Sequence, residues 1–311
     1  MSLTSELSQK NSFVRQFIQD EFPHIGDLCR QLNHQLGSIP NPTVTYDKRT
    51  ASLVGTAFDY RVRSYFSDEP QKSVAIQAGV RSMNLLYSMA AKDGEIIRSA
   101  WNESAAQSLF EALKQFIRHA RPKGRRLPEA EEEYLCRFCA LLAQLDNAGR
   151  MIPSENLARA GSVASMLSRI EEGVAHELMA LSYLFHERHA SVVRNFKHVF
   201  VGQTLAGSGD VGGADFDLIV DGCLFEIKTR GKFKIVPEFV WQLIGYWLLD
   251  YNDKFRIRSG AIYLSRQGYL HNFDLKRDLL RTRRPMEHIR IPFRNRLSNY
   301  AWQKAQGERD D

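Results

Sequence analysis

Residues 215–230, DFDLIVDGCLFEIKTR, consist of two short apolar runs that are joined by Asp221-Gly222. An Asp-Gly pair between apolar runs predicts a two-residue hairpin turn, because both residues tolerate the positive φ angles that such a turn requires. With these two residues in the turn, Val220 pairs with Cys223, and the register of the rest of the hairpin follows. The stretch therefore predicts an antiparallel pair of strands with a defined register.

The charged side chains of this hairpin fall on one predicted face. The register places Asp217 opposite Glu226 and Asp215 opposite Lys228, and residues two apart in a strand share a face. Neighbouring carboxylates repel each other, and a divalent cation such as Mg²⁺ or Mn²⁺ removes that repulsion. A nearby lysine can stabilise the charge that develops on a phosphodiester under attack. The pattern predicts a phosphodiester hydrolysis site, and a solvated face with ordinary charges is the alternative.

The composition is that of an ordinary soluble globular protein. The chain has 311 residues, of which 43% are hydrophobic and 25% are charged. It contains no run of 18 apolar residues, and its first twenty residues lack the apolar segment of a signal peptide. We therefore expect no membrane span and a cytoplasmic location. Cys136 and Cys139 lie in a helical apolar pattern, which predicts buried small hydrophobes and not a metal or redox pair.

The order of patterns along the chain predicts an α/β fold with a largely helical N-terminal half. Apolar residues recur at helical spacing until about residue 188, and strand-like alternation begins at about residue 191. From there the predicted order is β-β-β-α-β-β, with the single helix at 236–251. We divide the chain into a helical region 1–160, a core 161–275 and a basic helical tail 276–311.

Two motifs resemble those of a known nuclease superfamily. Asp217 followed by Glu226-x-Lys228 resembles the core motif of the PD-(D/E)XK nucleases. Gln242 and Tyr246, on the helix after the hairpin, resemble the Q-x-x-x-Y motif of the RecB-like branch. The resemblance covers roughly 170–275, and it implies a restriction-endonuclease-like mixed sheet that is flanked by helices.

The resemblance also implies roles for these residues. Asp217 and Glu226 would hold Mg²⁺ or Mn²⁺, and Lys228 would be the catalytic lysine; Asp215, in the same run, is a rival to Asp217. Gln242 and Tyr246 would orient nucleic acid or support the site. In the alternative interpretation, the tyrosine packs between tryptophans and the sheet while the glutamine faces water.

Members of this superfamily also carry an acidic residue or histidine on a helix before the sheet, and here two segments are candidates. The nearer helix offers Glu172 and Glu177 as catalytic carboxylates and His176 as an additional metal ligand. The more distant segment, GTAFD, ends at Asp59 and resembles the RecB-like G-T-x-x-H helix with Asp in place of His. We favour the nearer helix, and Asp59 remains the alternative metal ligand.

A net charge of +6 and a basic cluster at 276–284 favour a polyanionic partner. Arg283 and Arg284 are the residues in this cluster that we expect to contact nucleic acid, with DNA favoured over RNA. The alternative is a solvated basic surface that binds no partner. The helical half also offers a surface for a protein partner or for a second copy of the chain.

The expected function is that of a metal-dependent deoxyribonuclease, in DNA repair or in defence against foreign DNA as the superfamily implies. Two other functions stay open. The protein is either a catalytically silent nucleic-acid-binding module with the same fold or a subunit that binds a partner through its helical half.

Overall fold

The structure is a computed structural model that describes residues 2–38, 44–45, 47–92, 101–150, 155–282 and 284–307. Within these ranges the chain forms twelve α-helices. They are α1 Leu3–Ser8, α2 Phe13–Glu21, α3 Ile25–Leu36, α4 Ala51–Arg63, α5 Val74–Lys92, α6 Glu103–Ala120, α7 Glu129–Ala148, α8 Glu155–Ala158, α9 Val163–Ser168, α10 Glu172–Arg194, α11 Pro237–Leu249 and α12 Glu287–Gly307.

Five strands form one mixed sheet in sequential order. They are β1 Val199–Val201, β2 Leu218–Val220, β3 Cys223–Lys228, β4 Ser259–Leu264 and β5 Tyr269–Asp274. β3 and β4 are parallel and are connected through α11, whereas the other neighbouring strands are antiparallel. The predicted α/β class, the strand and helix order and the helical N-terminal half are confirmed.

The hairpin turn has the predicted geometry. Asp221 and Gly222 have φ angles of +48° and +79°, as a two-residue turn of this kind requires. Val220 pairs with Cys223, and the pairing continues to Leu218. The Asp221 carboxylate also accepts hydrogen bonds from backbone N–H groups of 197 and 198, which holds the turn beside the start of β1.

Helix starts follow local chemistry. The Asn102 side chain caps α6, accepting a hydrogen bond of 2.8 Å from the N–H of Ala105, one of the donors that a helix start leaves unpaired. Pro237 begins α11, where its missing N–H costs no helical hydrogen bond. The helical pattern at the start of the chain forms the separate helices α2 and α3, and Pro23 lies in the break between them.

Helices cover both faces of the sheet, because buried apolar side chains of the strands point alternately to one face and to the other. Leu218 and Phe225 belong to one core, together with residues of α4 to α7, α9 and α10. Ile219 and Leu224 belong to the other core, together with residues of α1, α2, α3, α11 and α12. The carboxylate of Glu226 shares the second face with Leu224, and it therefore points towards the side on which α11 lies.

The boundaries of some elements differ from the predicted ones. α10 continues to Arg194, so the predicted strand that begins near residue 191 shrinks to the three residues of β1. α12 buries Ile289, Phe293 and Leu297 in the same core as α11. No helix in the described part of the chain is long and apolar enough to cross a membrane. The division of the chain at 160 and 275 stays a prediction.

Candidate active site

The end of β3 presents a carboxylate and an ammonium group that contact each other. The Lys228 Nζ donates hydrogen bonds to the Glu226 Oε1 at 2.5 Å and to the Gln242 Oε1 at 3.0 Å. The Lys228 Nζ also lies 5.0 Å from the centroid of the Phe239 ring, which is a cation–π contact. Because it has two polar partners and an aromatic one, this ammonium group occupies a defined position.

Gln242 and Tyr246 extend this network into the protein. The Gln242 Nε2 donates to the Tyr246 Oη at 3.1 Å, and the tyrosine hydroxyl donates to the backbone carbonyl of Asp215 at 3.2 Å. Both side chains are buried, so Gln242 does not face water. Burial raises the pKa of Tyr246 well above its ordinary value and keeps the hydroxyl protonated as a donor. The Q-x-x-x-Y pair thus connects Lys228 to the segment that carries Asp215 and Asp217.

Asp217 comes directly before β2, and its carboxylate forms an ion pair with Arg63 of α4. The sequence predicts a strand that includes Asp215, but the regular strand begins only at Leu218. Phe216 packs in the core opposite to that of Leu218, although residues two apart in a regular strand share a face. The regular pairing of β2 with β3 ends at Leu218 and Phe225, so Asp215 is not paired with Lys228. Asp215 instead forms an isolated bridge with Thr204, whose hydroxyl donates to its carboxylate at 2.9 Å.

The structure brings Asp59 of α4 to this group of charges. A β-carbon on Gly55, one turn earlier, would lie 3.7 Å from that of Thr229, so α4 passes the end of β3. Burial raises the pKa of Asp59 well above its ordinary value, and the charges of Asp217 and Glu226 raise it further. The Oδ1 of Asp59 is buried and has no hydrogen-bond partner among the described residues.

The residues of the nearer helix have other partners. Glu177 forms a buried ion pair with Arg266 at 2.6 Å and accepts a hydrogen bond from the N–H of Asp47. His176 and Glu172 contact each other at 3.7 Å on the exposed side of α10. Asp59, and not this set, therefore lies beside Asp217 and Glu226.

The basic cluster at 276–284 is only partly described. Arg284 forms an ion pair with Glu21 at 2.7 Å, and Arg283 lies outside the described residues. Cys136 and Cys139 are buried free thiols on α7, as the helical pattern predicts.

Two sets of positive charges were missed in the sequence. Arg63 is a buried residue at the site, and its only signal is its position four residues after Asp59, on the same side of α4. Arg230, Lys232 and Lys234 are exposed and directly follow β3. The sequence signal for these three residues is the stretch KTRGKFK, in which every second residue from Lys228 onwards is basic.

The donor chemistry at this site fits a hard divalent cation. Asp59, Asp217 and Glu226 provide carboxylate oxygens, which Mg²⁺ and Mn²⁺ prefer, and one oxygen of Asp59 is buried without a partner. In the structure Asp217 and Glu226 pair with Arg63 and Lys228. No three His, Cys, Asp or Glu side chains of the described residues form a set that could hold a metal. Cation binding thus requires these carboxylates to give up part of their present contacts.

The burial of Glu226 predicts a specific pH dependence of stability. Burial, with a further contribution from the charge of Asp217, raises its pKa from 4.5 to about 7, against the lowering effect of Lys228. Between these pH values the unfolded chain releases a proton that the folded protein keeps, so the contribution of Glu226 to stability is greatest below pH 4.5 and is lost as the pH rises through about 7. In EDTA, we expect this contribution to the free energy of unfolding to amount to roughly 1–3 kcal/mol across the window.

The measurement is urea unfolding at a series of pH values, compared between the wild type and Glu226→Gln. The variant should lose the Glu226 part of this slope, because a neutral amide has no proton to release. Glu238→Gln, which changes an exposed carboxylate on α11, is the matched control and should keep the slope. An unchanged slope in Glu226→Gln would mean that the buried carboxylate does not titrate in this range.

Comparisons with known proteins give no match. No protein-family model matches the chain, and no curated protein or solved structure is significantly similar to it.

Proposed function

We propose that this protein is a metal-dependent nuclease that hydrolyses phosphodiester bonds in DNA. The observation that carries the proposal is the position of Lys228, whose ammonium group is held between Glu226 and Gln242. Asp59 and Asp217 carry the neighbouring carboxylates. A fixed cation beside several carboxylates is a combination that supports phosphodiester hydrolysis with a divalent metal.

Asp59, Asp217 and Glu226 would hold the Mg²⁺ or Mn²⁺. When bound, the metal would polarise the phosphate and lower the pKa of a water nucleophile. Lys228 faces the same site, where its ammonium group stabilises the negative charge that develops on the phosphate during attack. Gln242 and Tyr246 keep the lysine in position through their hydrogen bonds.

Three exposed cations after β3 support a polyanionic substrate. Arg230, Lys232 and Lys234 lie within six residues of Lys228 along the chain, and the guanidinium of Arg230 stacks on Phe239, as Lys228 does. Basic side chains of this kind bind phosphates without regard to sequence and make affinity depend on salt. This segment is a better candidate for the nucleic-acid contact than Arg284, which pairs with Glu21.

One observation favours a second function, that of a nucleic-acid-binding module that does not cut. Two of the three carboxylates already have cationic partners, which are Arg63 and Lys228. If these pairs persist when DNA binds, the site neutralises its own carboxylates and holds no metal. Binding through the basic segment would then be the whole activity.

The test is a cleavage assay on labelled single- and double-stranded DNA and RNA, in Mg²⁺, in Mn²⁺ and in EDTA. We expect cutting of DNA that requires the metal and that Asp217→Asn abolishes. DNA binding without cutting in either metal would support the second function. Cutting that persists in EDTA or in Asp217→Asn would contradict the proposed site.

A further inference from the structure

Arg63 stands out among the charged residues of the site because it is buried and only partly paired. Its side chain is 8% exposed, and its Nη2 donates to the Oδ1 of Asp217. Its Nε and Nη1 have no hydrogen-bond partner among the described residues. The guanidinium lies 4.8 Å from the centroid of the Tyr60 ring. Two buried donors without acceptors are costly, and the functional site is where such groups are expected to find a ligand.

The charge balance of the site indicates what that ligand is. When a bound divalent cation keeps all three carboxylates ionised, Asp59, Asp217 and Glu226 exceed the two cations Arg63 and Lys228 by one negative charge. A divalent cation changes this balance to one net positive charge, which suits a single phosphodiester anion. Without Arg63, the metal-loaded site would be neutral and would gain a net negative charge with the same substrate. The arginine thus makes the site electrostatically complementary to a diester.

The same arginine opposes metal binding when no substrate is present. It occupies one oxygen of Asp217, and its positive charge repels a second cation at that carboxylate. Asp217 is also the most accessible of the four residues in these two ion pairs, with 24% of its side chain exposed. A ligand from solvent therefore meets the contact between Arg63 and Asp217 first.

We infer that Arg63 exchanges partners: it competes with the divalent cation for Asp217 in the substrate-free protein and binds a phosphate oxygen of the substrate when the metal is present. A planar guanidinium with free donors matches the geometry of phosphate oxygens. Metal and phosphodiester consequently bind cooperatively. Each binds more tightly to the protein that already holds the other than to the protein alone. This inference rests on the proposed nuclease function and assigns a substrate-binding residue to it.

The test measures Mn²⁺ binding directly, by electron paramagnetic resonance of free Mn²⁺, with and without dimethyl phosphate as a diester that resists hydrolysis. In the wild type, dimethyl phosphate should tighten Mn²⁺ binding. In Arg63→Gln, Mn²⁺ alone should bind about tenfold more tightly, because a competing charge is removed, and dimethyl phosphate should no longer add to it. Arg63→Lys keeps the charge and should bind Mn²⁺ alone with nearly wild-type affinity.

The outcomes distinguish a failure of the role inferred for Arg63 from a failure of the proposed metal site. Asp217-dependent Mn²⁺ binding that is unchanged or weaker in Arg63→Gln would overturn the role of Arg63 and leave the metal site standing. Absence of Mn²⁺ binding in both proteins would contradict the nuclease proposal and this inference together. If Arg63→Gln does not fold, the wild type alone tests the exchange of partners. An Mn²⁺ affinity of the wild type that dimethyl phosphate leaves unchanged would contradict it.

Discussion

Replacing Lys228 with methionine is expected to lower metal-dependent DNA cleavage by at least about 100-fold while leaving the fold and Mn²⁺ binding in place. In the proposed mechanism its ammonium group faces the phosphate during attack, and removing one such group costs about 10²–10³ in rate. Methionine is an unbranched apolar side chain of similar length that can contact Phe239, over whose ring the lysine Nζ now lies. The measurement is single-turnover cleavage at saturating Mg²⁺, with thermal unfolding as the check on folding.

Lys254→Met is the matched control for this substitution. Lys254 also lies over an aromatic ring, with its Nζ 4.8 Å from the centroid of Phe255, and it is exposed. The control removes the same charge from a similar aromatic platform and should keep nearly full activity. Equal loss in both variants would show that the total positive charge matters, and not the ammonium group at the end of β3.

Replacing Glu132 with glutamine is expected to lower the free energy of unfolding by about 3–5 kcal/mol. Arg61 is fully buried, and it donates to both oxygens of Glu132, at 2.6 and 2.8 Å. Burial raises the pKa of Glu132 while Arg61 lowers it, and the net direction is downward. The variant leaves the arginine charge buried without its counter-charge, which is more costly than the intact pair is favourable.

The neighbouring residue provides the control. Glu133 pairs with Arg137 at 2.7 Å on a partly exposed side of the same helix, so Glu133→Gln should cost less than about 1 kcal/mol. Replacing both members of the buried pair, as in Arg61→Met with Glu132→Leu, should recover much of the lost stability. Denaturant unfolding of the four proteins measures these differences. Equal, small losses in Glu132→Gln and Glu133→Gln would contradict the account of the buried pair.

The buried ion pair of Arg61 and Glu132 also affects the candidate site. Arg61 lies between Asp59 and Arg63 on α4, and its pair with Glu132 fixes α4 against α7. The two residues that α4 contributes to the site thus depend on an ion pair outside the site. We expect Glu132→Gln to weaken Mn²⁺ binding even at temperatures where the variant is folded.

The hairpin and the motif helix were predictable because their chemistry is local. Asp221-Gly222 determines the turn, the turn determines the register, and the register places Glu226 and Lys228 on the side of α11. The four-residue spacing of Gln242 and Tyr246 is itself a statement about one face of a helix. Their observed contact at 3.1 Å needs no information from elsewhere in the chain.

The contribution of α4 was not predictable in the same way, because it depends on packing between distant segments. Asp59 reaches Asp217 across more than 150 residues of sequence, and spacing alone favoured the nearer helix with Glu177. That glutamate is instead satisfied by Arg266, a partner that no local pattern indicates. Asp215 also lies outside the regular strand and forms a bridge with Thr204, a contact that the register of the hairpin does not predict.

The most direct test of the central claim is a Mn²⁺ titration of the wild type against Asp217→Asn, with Asp221→Asn as control. Asp221 lies in the turn of the same hairpin and has a positive φ angle, which asparagine tolerates. The control therefore makes the same chemical change at a position away from the three carboxylates of the proposed site. We predict saturable Mn²⁺ binding in the wild type and in Asp221→Asn, and its loss in Asp217→Asn. No binding in the wild type, or equal binding in all three proteins, would contradict a metal site at Asp59, Asp217 and Glu226.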